Sequence, residues 1–531
     1  AEAAGGTVDE SEELGAEAPQ AIRRLLAWLH EGGAHWSPGL RIREVAHGER
    51  GLVTVSARRA WQRELLSVPL DHAFSAAECR QNASSLVMRI PVELRDRLAR
   101  SHALLHLCFL EHYLFVKGES RFAPYLETMP ASLSHLPLLT TVNISYVLEG
   151  SPLLGDILKH RRDLESLYEE IAWELPDFGQ LVSLADFMHT YCMVESHSHA
   201  KHEGNESSPL MVPLLDLINH RSRGANLRLG GSAEGELRLA AHVGRHAIAE
   251  GDELFFTYSE ENEASSKFFK QFGFVDEDLP VASKVSFPLR PHHPDYSSKR
   301  LLFDESLVHT KLMLERLGGD DAESYLGQNS GYRDFPKFVI WRCSPESAGF
   351  VAQTPEAARE ELLPYARFVV FPRGAEALRT DCDVTKRPPA CLRPLPPAEE
   401  AAAAQFLVEV VLEHIRRYPG SLEDDERMLL ELSGKRSPAA PYLRIRCDER
   451  RCLSTLLQQV EGIAATTSEA PMQLPREPER TSRKPRSAPA VTTRELGYGY
   501  GWLVFLPALL ALGCIGRSCW RRMCKAPRHI E

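Results

Sequence analysis

The chain is expected to be an α+β protein in which β-rich pieces enclose a helical insertion and a separate helical lobe follows. Three observations lead there. Short β-type runs broken by turns (LRIREVA, GLVTVSARRA, ELLSVPL) fall between about 40 and 70, and return between 210 and 258. From about Pro91 to Glu203 apolar residues recur three or four apart, as in LARSHALLHLCFLEHYLF and LVSLADFMHTYCMVES. After Pro280 the runs ESLVHTKLMLERL, AEEAAAAQFLVEVVLEHIRRY and DERRCLSTLLQQVEGIA again read as helices.

The elements follow in order. Residues 1–20 are acidic and small, without periodicity, and read as a disordered leader. AIRRLLAWLHEGG, from Ala21, is an amphipathic helix stopped by Gly32-Gly33. Residues 21–280 form the β-rich domain with its helical insert at about 91–203, and 281–465 form the lobe. Residues 466–496 are a Pro/Arg-rich linker. Gly497 to Gly516 is an uncharged run long enough to cross a bilayer, and 517–531 form a basic tail. A membrane-anchored protein is therefore expected. A tail anchor leaves the large domain in the cytosol, whereas the basic flank favours a cytosolic tail. The chain opens on Ala1, so a targeting peptide for a plastid or other organelle could precede it.

Bulk properties narrow the function. With 531 residues, 43% hydrophobic and 25% charged, the chain supports more than one domain. A net charge of −11 argues against nucleic-acid binding through a general basic surface. The 11 cysteines are scattered without a CxxC pair, so neither a zinc cluster nor a disulfide framework is expected, and a reduced setting suits the folded part. The run His197-Ser198-His199-Ala200-Lys201-His202 reads as a solvated loop, and no metal is expected. Three glycosylation tripeptides start at Asn82, Asn143 and Asn205.

The most informative stretch is Met211 to Phe274. An apolar run ends in Asp216-Leu217-Ile218-Asn219-His220, and Asn and His are costly in a core unless their hydrogen bonds are met. A strand-like run, Glu253-Leu254-Phe255-Phe256-Thr257, ends in Tyr258, and Phe272-Gly273-Phe274 closes the segment. Read alone, these are also what a satisfied structural Asn/His pair, a strand-capping tyrosine and a hydrophobic turn look like. Together they resemble the SET-domain methyltransferases, in the branch of the Rubisco large-subunit and actin-histidine methyltransferases. Further matching pieces are Glu49-Arg50-Gly51-Leu52, Glu64-Leu65-Leu66-Ser67-Val68-Pro69, Arg121-Phe122-Ala123-Pro124-Tyr125 with Met129-Pro130, and RRYPGSLEDDERMLL in the lobe. The resemblance covers roughly residues 21–460. It implies a split β-rich SET domain with a helical insertion, an all-helical substrate-binding lobe, and, with the sequence reading above, a C-terminal transmembrane helix.

It also implies a chemistry: S-adenosylmethionine-dependent methylation of a protein side chain. Such an in-line displacement needs alignment more than acid–base groups, and alignment supplies roughly 7–11 kcal/mol. The resemblance assigns cofactor binding to Glu49, Arg50, Gly51 and Leu52, to Asp216, Asn219 and His220, and to Phe272, Gly273 and Phe274. It makes Tyr258 the catalytic residue. His197 stands where many relatives carry an arginine toward the cofactor carboxylate, and Ser259 replaces the glycine after the tyrosine. Leu215, where the actin-histidine enzyme has tryptophan, favours a lysine side chain as the acceptor. A non-catalytic SET-fold binding module is the rival from another class.

Overall fold

In the computed structural model the described residues are 14–15, 18–45, 50–58, 64–99, 102–203, 206–232, 235–244, 247–258, 263–287, 295–299, 338–346, 349–352, 355–371, 382 and 390–468. Residues 1–472 form one compact unit, and 473–531 a second that lies outside the described residues.

The first helix, α1 (Gln20–Glu31), buries Ile22, Leu25, Leu26 and Leu29, the i, i+3, i+4, i+7 stripe of an amphipathic helix. Leu14 and Ala18 are also buried in the main core, so the end of the expected leader is packed rather than loose. An antiparallel pair follows, β1 (Leu40–Glu44) with β2 (Arg50–Thr54), then β3 (Leu66–Pro69). The insert contributes α2 (Ala103–Glu111), α3 (Pro152–Glu174) and α4 (Leu184–His197); Ser151 and Ser183 cap the last two by accepting a backbone N–H of the first turn.

The HSHAKHE run is not a loop. It is the strand β4 (Ser198–Glu203), paired antiparallel with β5 (Glu206–Met211). Its polarity, with no apolar alternation, disguises the strand in the sequence. Next come β6 (Asn219–His220), β7 (Leu227–Ser232), β8 (Gly235–Val243), β9 (Phe255–Phe256) and α5 (Ser265–Phe272). β3, β8 and β7 share one antiparallel sheet, although β3 and β8 lie far apart in sequence.

The lobe departs from an all-helical design. β10 (Val281–Ser286), β11 (Phe338–Glu346) and β12 (Gly349–Ala352) form a three-stranded antiparallel sheet. The signal was present: FVIWRC is β-branched and aromatic. The lobe's helices are α6 (Pro355–Glu361), α7 (Leu363–Val370), α8 (Pro397–Ile415), α9 (Leu422–Gly434) and α10 (Ala440–Ser468), of which α8 and α10 pack on the sheet. The expected helix ESLVHTKLMLERL falls outside the described residues.

Two apolar cores result. The larger holds α1, the strands and the insert; the smaller holds β10, α7, α8 and the later half of α10. α10 joins them: Tyr442 and Ile445 belong to the first core, Cys452, Leu456, Val460 and Ile463 to the second. The joint is pinned by charge. Asp425 accepts from Arg450 at 2.6 Å and pairs with Arg446, whose guanidinium also donates to the Tyr146 carbonyl of the insert at 3.1 Å.

Two sequence expectations are overturned. The expected transmembrane architecture, and with it membrane anchoring, finds no support: no helix among the described residues is long and apolar enough to cross a membrane, and residues 497–516 lie outside them. Disulfides, not expected from the scattered spacing, join Cys79 to Cys108, Cys343 to Cys452 and Cys382 to Cys391, while Cys192 and Cys447 are free and buried. Spacing in sequence carries no information about pairs 29 and 109 residues apart that only the fold brings together.

Candidate functional site

Three segments remote in sequence meet at one place. β6 and β9 pair in parallel, Phe255 opposite Asn219 and Phe256 opposite His220. On the other side of the 252–256 segment, the Leu254 N–H donates to the Leu52 carbonyl at 2.7 Å and the Thr54 N–H to the Asp252 carbonyl at 3.0 Å. The first loop, the Asn-His pair and the run toward Tyr258 are thereby stitched together by backbone hydrogen bonds.

Asn219 illustrates why the fold needs a glycine nearby. Its Nδ2 donates to the Arg50 carbonyl at 3.2 Å and to Glu253 Oε1 at 2.7 Å. A Cβ at Gly51 would lie 2.5 Å from Glu253 Oε1 and 2.9 Å from Asn219 Nδ2, so no other residue fits without displacing both. With both N–H groups engaged, Asn219 offers its Oδ1 as an acceptor. Leu52 is fully buried beneath, and Arg50 also lines a cleft of about 480 Å³ with Ile42, Arg43, Glu44, Glu127, Met129 and Pro130. Glu49 lies outside the described residues.

His220 is held from two sides. The Tyr258 N–H donates to its Nδ1 at 2.9 Å, so the Nε2–H is left to donate to Asp276 Oδ2 at 2.7 Å. Ser222 donates to the same oxygen at 2.5 Å. Burial pushes the Asp276 carboxyl up, but the hydrogen bonds from His220, Ser222 and the Asp278 N–H outweigh it and hold the pKa at about 2. Asp276 therefore acts as a permanent acceptor that fixes the imidazole. Its role was not visible in the sequence, where it sits two residues past the FGF turn among other acids.

The Tyr258 hydroxyl donates to the Ile218 carbonyl at 2.5 Å. The ring is packed among His220, Phe256 and Phe272, with centroids at 5.1, 4.8 and 5.1 Å. Donation to a carbonyl commits the phenolic proton and fixes the ring's orientation. Phe272 ends α5, and Gly273 follows in the left-handed conformation (φ 78°) that glycine adopts at no steric cost. Phe274 is partly exposed, 6.1 Å from the His220 ring and 5.1 Å from Phe268.

Asp216 lies one turn before this pair, following Leu214, whose positive φ of 72° is a strained setting for a leucine. Burial raises the Asp216 carboxyl to about 7, against the lowering effect of the Tyr125 hydroxyl, which donates to Oδ2 at 2.7 Å. Its bond goes to the RFAPY segment, so Asp216 supports the strained turn instead of joining Asn219.

His197 is placed differently from the expectation. It ends α4, and its Nδ1 bonds the Met193 carbonyl and Ser196 Oγ, both at 2.9 Å, within its own helix. The nearby histidine on the strand is closer to the site: the His199 ring lies 5.8 Å from that of Phe256. His199 Nε2 is enclosed with no hydrogen-bond partner, and burial, then His197, lowers its pKa to about 4. A neutral ring with an orphaned nitrogen beside β9 is a feature that the sequence reading missed, and no local pattern in β4 signalled it. Ser259 lies outside the described residues.

Comparisons with known proteins place this geometry. Residues 333–453 match the family model described as Rubisco LSMT substrate-binding. No curated protein is matched by the chain. The fold is similar to the SET domain of LSMT bound to lysine and AdoHcy, at 16% identity, TM-score 0.61, over 85% of this chain and 93% of that one. It is likewise similar to Rubisco LSMT bound to sinefungin and monomethyllysine, at 17% identity and TM-score 0.59, over 85% and 93%. Rubisco LSMT bound to AdoMet gives 16% identity and TM-score 0.60 over the same shares. The chain thus has the SET fold of the LSMT type, continued by a lobe of the LSMT substrate-binding kind.

Proposed function

We propose that this chain, with the fold of LSMT and its substrate-binding lobe, is an S-adenosylmethionine-dependent protein-lysine N-methyltransferase. The observation that carries the reading is the convergence of Gly51, Asn219 and Tyr258 from three distant segments onto one hydrogen-bonded cluster. Neighbouring structures of the same fold hold AdoMet or AdoHcy, and two hold lysine or monomethyllysine, which supports both the cofactor and the acceptor.

The residues present fit such a ligand. Asn219 offers an acceptor of the kind an amino-acid ammonium group takes, and the cleft beside Arg50 is of the size usual for small-molecule sites. The orphaned Nε2 of His199 is a further polar group with no protein partner in a place the fold encloses. We assign Arg50, Leu52, His220, Phe272, Gly273 and Phe274 to the same wall, whereas His197 is bonded within α4 and would serve that wall indirectly through the strand that follows it.

When bound, S-adenosylmethionine would supply a methyl group to the amine lone pair and depart as the thioether. The side chains then have limited tasks. The Tyr258 oxygen, its proton given to Ile218, accepts weak C–H contacts and orients the amine. The aromatic ring of Phe272 beside it excludes water and favours the uncharged amine by desolvation. The lobe holds the protein that carries the lysine.

The test is calorimetry of the full chain with S-adenosylmethionine, followed by labelled-methyl transfer to candidate proteins. Tyr258→Phe is expected to bind the cofactor and to transfer at least tenfold more slowly. Failure of the folded parent to bind cofactor would remove the enzymatic reading and leave a SET-fold binding module.

A further inference from the structure

We propose that the chain matures in an oxidising compartment and carries N-linked oligosaccharide on Asn82 and Asn143. Two independent features point there, and neither is used by the methyl-transfer chemistry. The first is the cysteine pairing. Six of the eight cysteines in the described residues are joined, as Cys79–Cys108, Cys343–Cys452 and Cys382–Cys391. These pairs tie separate elements, including β11 to α10 across 109 residues. Persistent structural cross-links of this kind belong to secretory and extracellular proteins and are rare where glutathione keeps thiols reduced. The Cys79, Cys108, Cys343 and Cys452 side chains are at most 1% exposed, which shelters the bonds once made. His112 lies near Cys79 and Cys108, but sulfurs bonded to each other are not thiolates, so the group is not a metal site.

The second feature is the acceptor tripeptides. Asn82-Ala83-Ser84 is exposed at all three residues, in the turn directly after the helix that holds Cys79. Asn82 Oδ1 accepts the Ser84 N–H at 3.0 Å, a turn that brings the serine round to its asparagine. The turn is pinned to the disulfide, because the Asn82 N–H and the Ser85 hydroxyl both donate to the Cys79 carbonyl, at 3.3 and 2.7 Å. Asn143 precedes a four-residue helix; Asn143 and Ser145 are exposed while Ile144 and Val147 are buried, so the backbone is anchored and the two acceptor residues face outward. The third tripeptide, at Asn205, lies outside the described residues. Exposure at both reacting positions is what a transferase needs.

The transfer balances with a polyprenyl-diphosphate oligosaccharide as donor. The Asn Nδ2 forms a bond to the anomeric carbon, the bond from that carbon to the phosphate oxygen breaks with its electron pair, and the amide proton leaves to a base of the transferase. Any methyl transfer by this chain would then need its cofactor in the same compartment.

The experiment uses the full chain purified from its own cells. The denatured protein is alkylated without reductant, treated with peptide N-glycosidase, which turns a glycosylated Asn into Asp, and mapped by mass spectrometry. The proposal expects Asp at positions 82 and 143 and the four cysteines 79, 108, 343 and 452 free of label until reduced. Asn retained at both positions overturns it, as does alkylation of those cysteines before reduction; Asn retained at one position overturns that site. Asn82→Gln and Asn143→Gln are each expected to remove one step of electrophoretic mobility and to leave cofactor binding unchanged.

Discussion

The Asn219–His220–Tyr258 cluster and the Asp425–Arg446–Arg450 cluster both place polar groups where the chain could have put leucine, yet they are finished differently. In the lobe cluster the three charges are answered by protein groups. Asp425 is bonded by two guanidiniums, and the remaining N–H groups of Arg450 reach the Pro419 and Gly420 carbonyls at 3.0 and 2.8 Å. At the other cluster the Asn219 and Tyr258 donors are spent on protein groups, and nearby the ring nitrogen Nε2 of His199 has no hydrogen-bond partner. A closed network fixes geometry and can do nothing else. One with an orphaned nitrogen beside it is not closed in this way.

That contrast can be broken most forcefully in the lobe. Asp425→Ala leaves Arg446 and Arg450 as unpaired charges with side chains only 4% and 6% exposed. The expected cost is about 3–5 kcal/mol, seen as a large fall in the denaturation midpoint without direct damage to the cofactor wall. Thermal unfolding checks it; a midpoint shift no larger than that of a surface substitution would show the network to be dispensable.

Asn219→Ala should behave in the opposite way. The fold loses two donated bonds from a half-buried group, whereas the ligand loses its acceptor for a charged partner, worth about 1.5–3 kcal/mol. Calorimetry is expected to show cofactor affinity weakened roughly 10- to 150-fold, with the melting midpoint moved much less.

The two carboxylates flanking the wall give a comparison in pH. Asp276 is depressed to about 2, so the stability it lends is fully present above its unfolded value near 3.9 and is lost as pH falls through 2. Asp216 is raised to about 7, so the folded chain binds the extra proton between about 4 and 7, and stability declines across that window as pH rises. Urea titrations at a series of pH values should find Asp276→Asn less dependent on pH below 4, and Asp216→Asn less dependent between 4 and 7. Each effect is of order 1 kcal/mol once solvent screening is allowed for. Identical pH slopes in parent and variants would refute the assignment.

The smallest effect belongs to neither cluster. Trp173 is 83% exposed on α3, and Trp173→Ala is expected to change stability by less than about 0.5 kcal/mol in the same urea experiment.

The residues of the candidate wall were legible in the sequence because their pattern is local. Asn219 and His220 adjoin, Tyr258 stands two residues past its strand, and Phe272-Gly273-Phe274 contains the glycine its left-handed turn requires. The periodicity of α1 and the helices of the insert was legible for the same reason: one apolar stripe per helix is written in consecutive residues. The lobe sheet was legible in FVIWRC but was outweighed by the helical runs around it.

What only the tertiary structure decided are the pairings between distant residues. Glu253 against Asn219, Asp276 against His220, Tyr125 against Asp216, and the three disulfides join positions between 9 and 109 residues apart. It also moved the emphasis from His197, turned into its helix, to His199, and found no membrane-spanning helix among the described residues. A sequence reports which groups are available and what local backbone they prefer. Which buried polar atom finds a partner, and which is left waiting for one, depends on contacts that exist only once the chain has closed on itself.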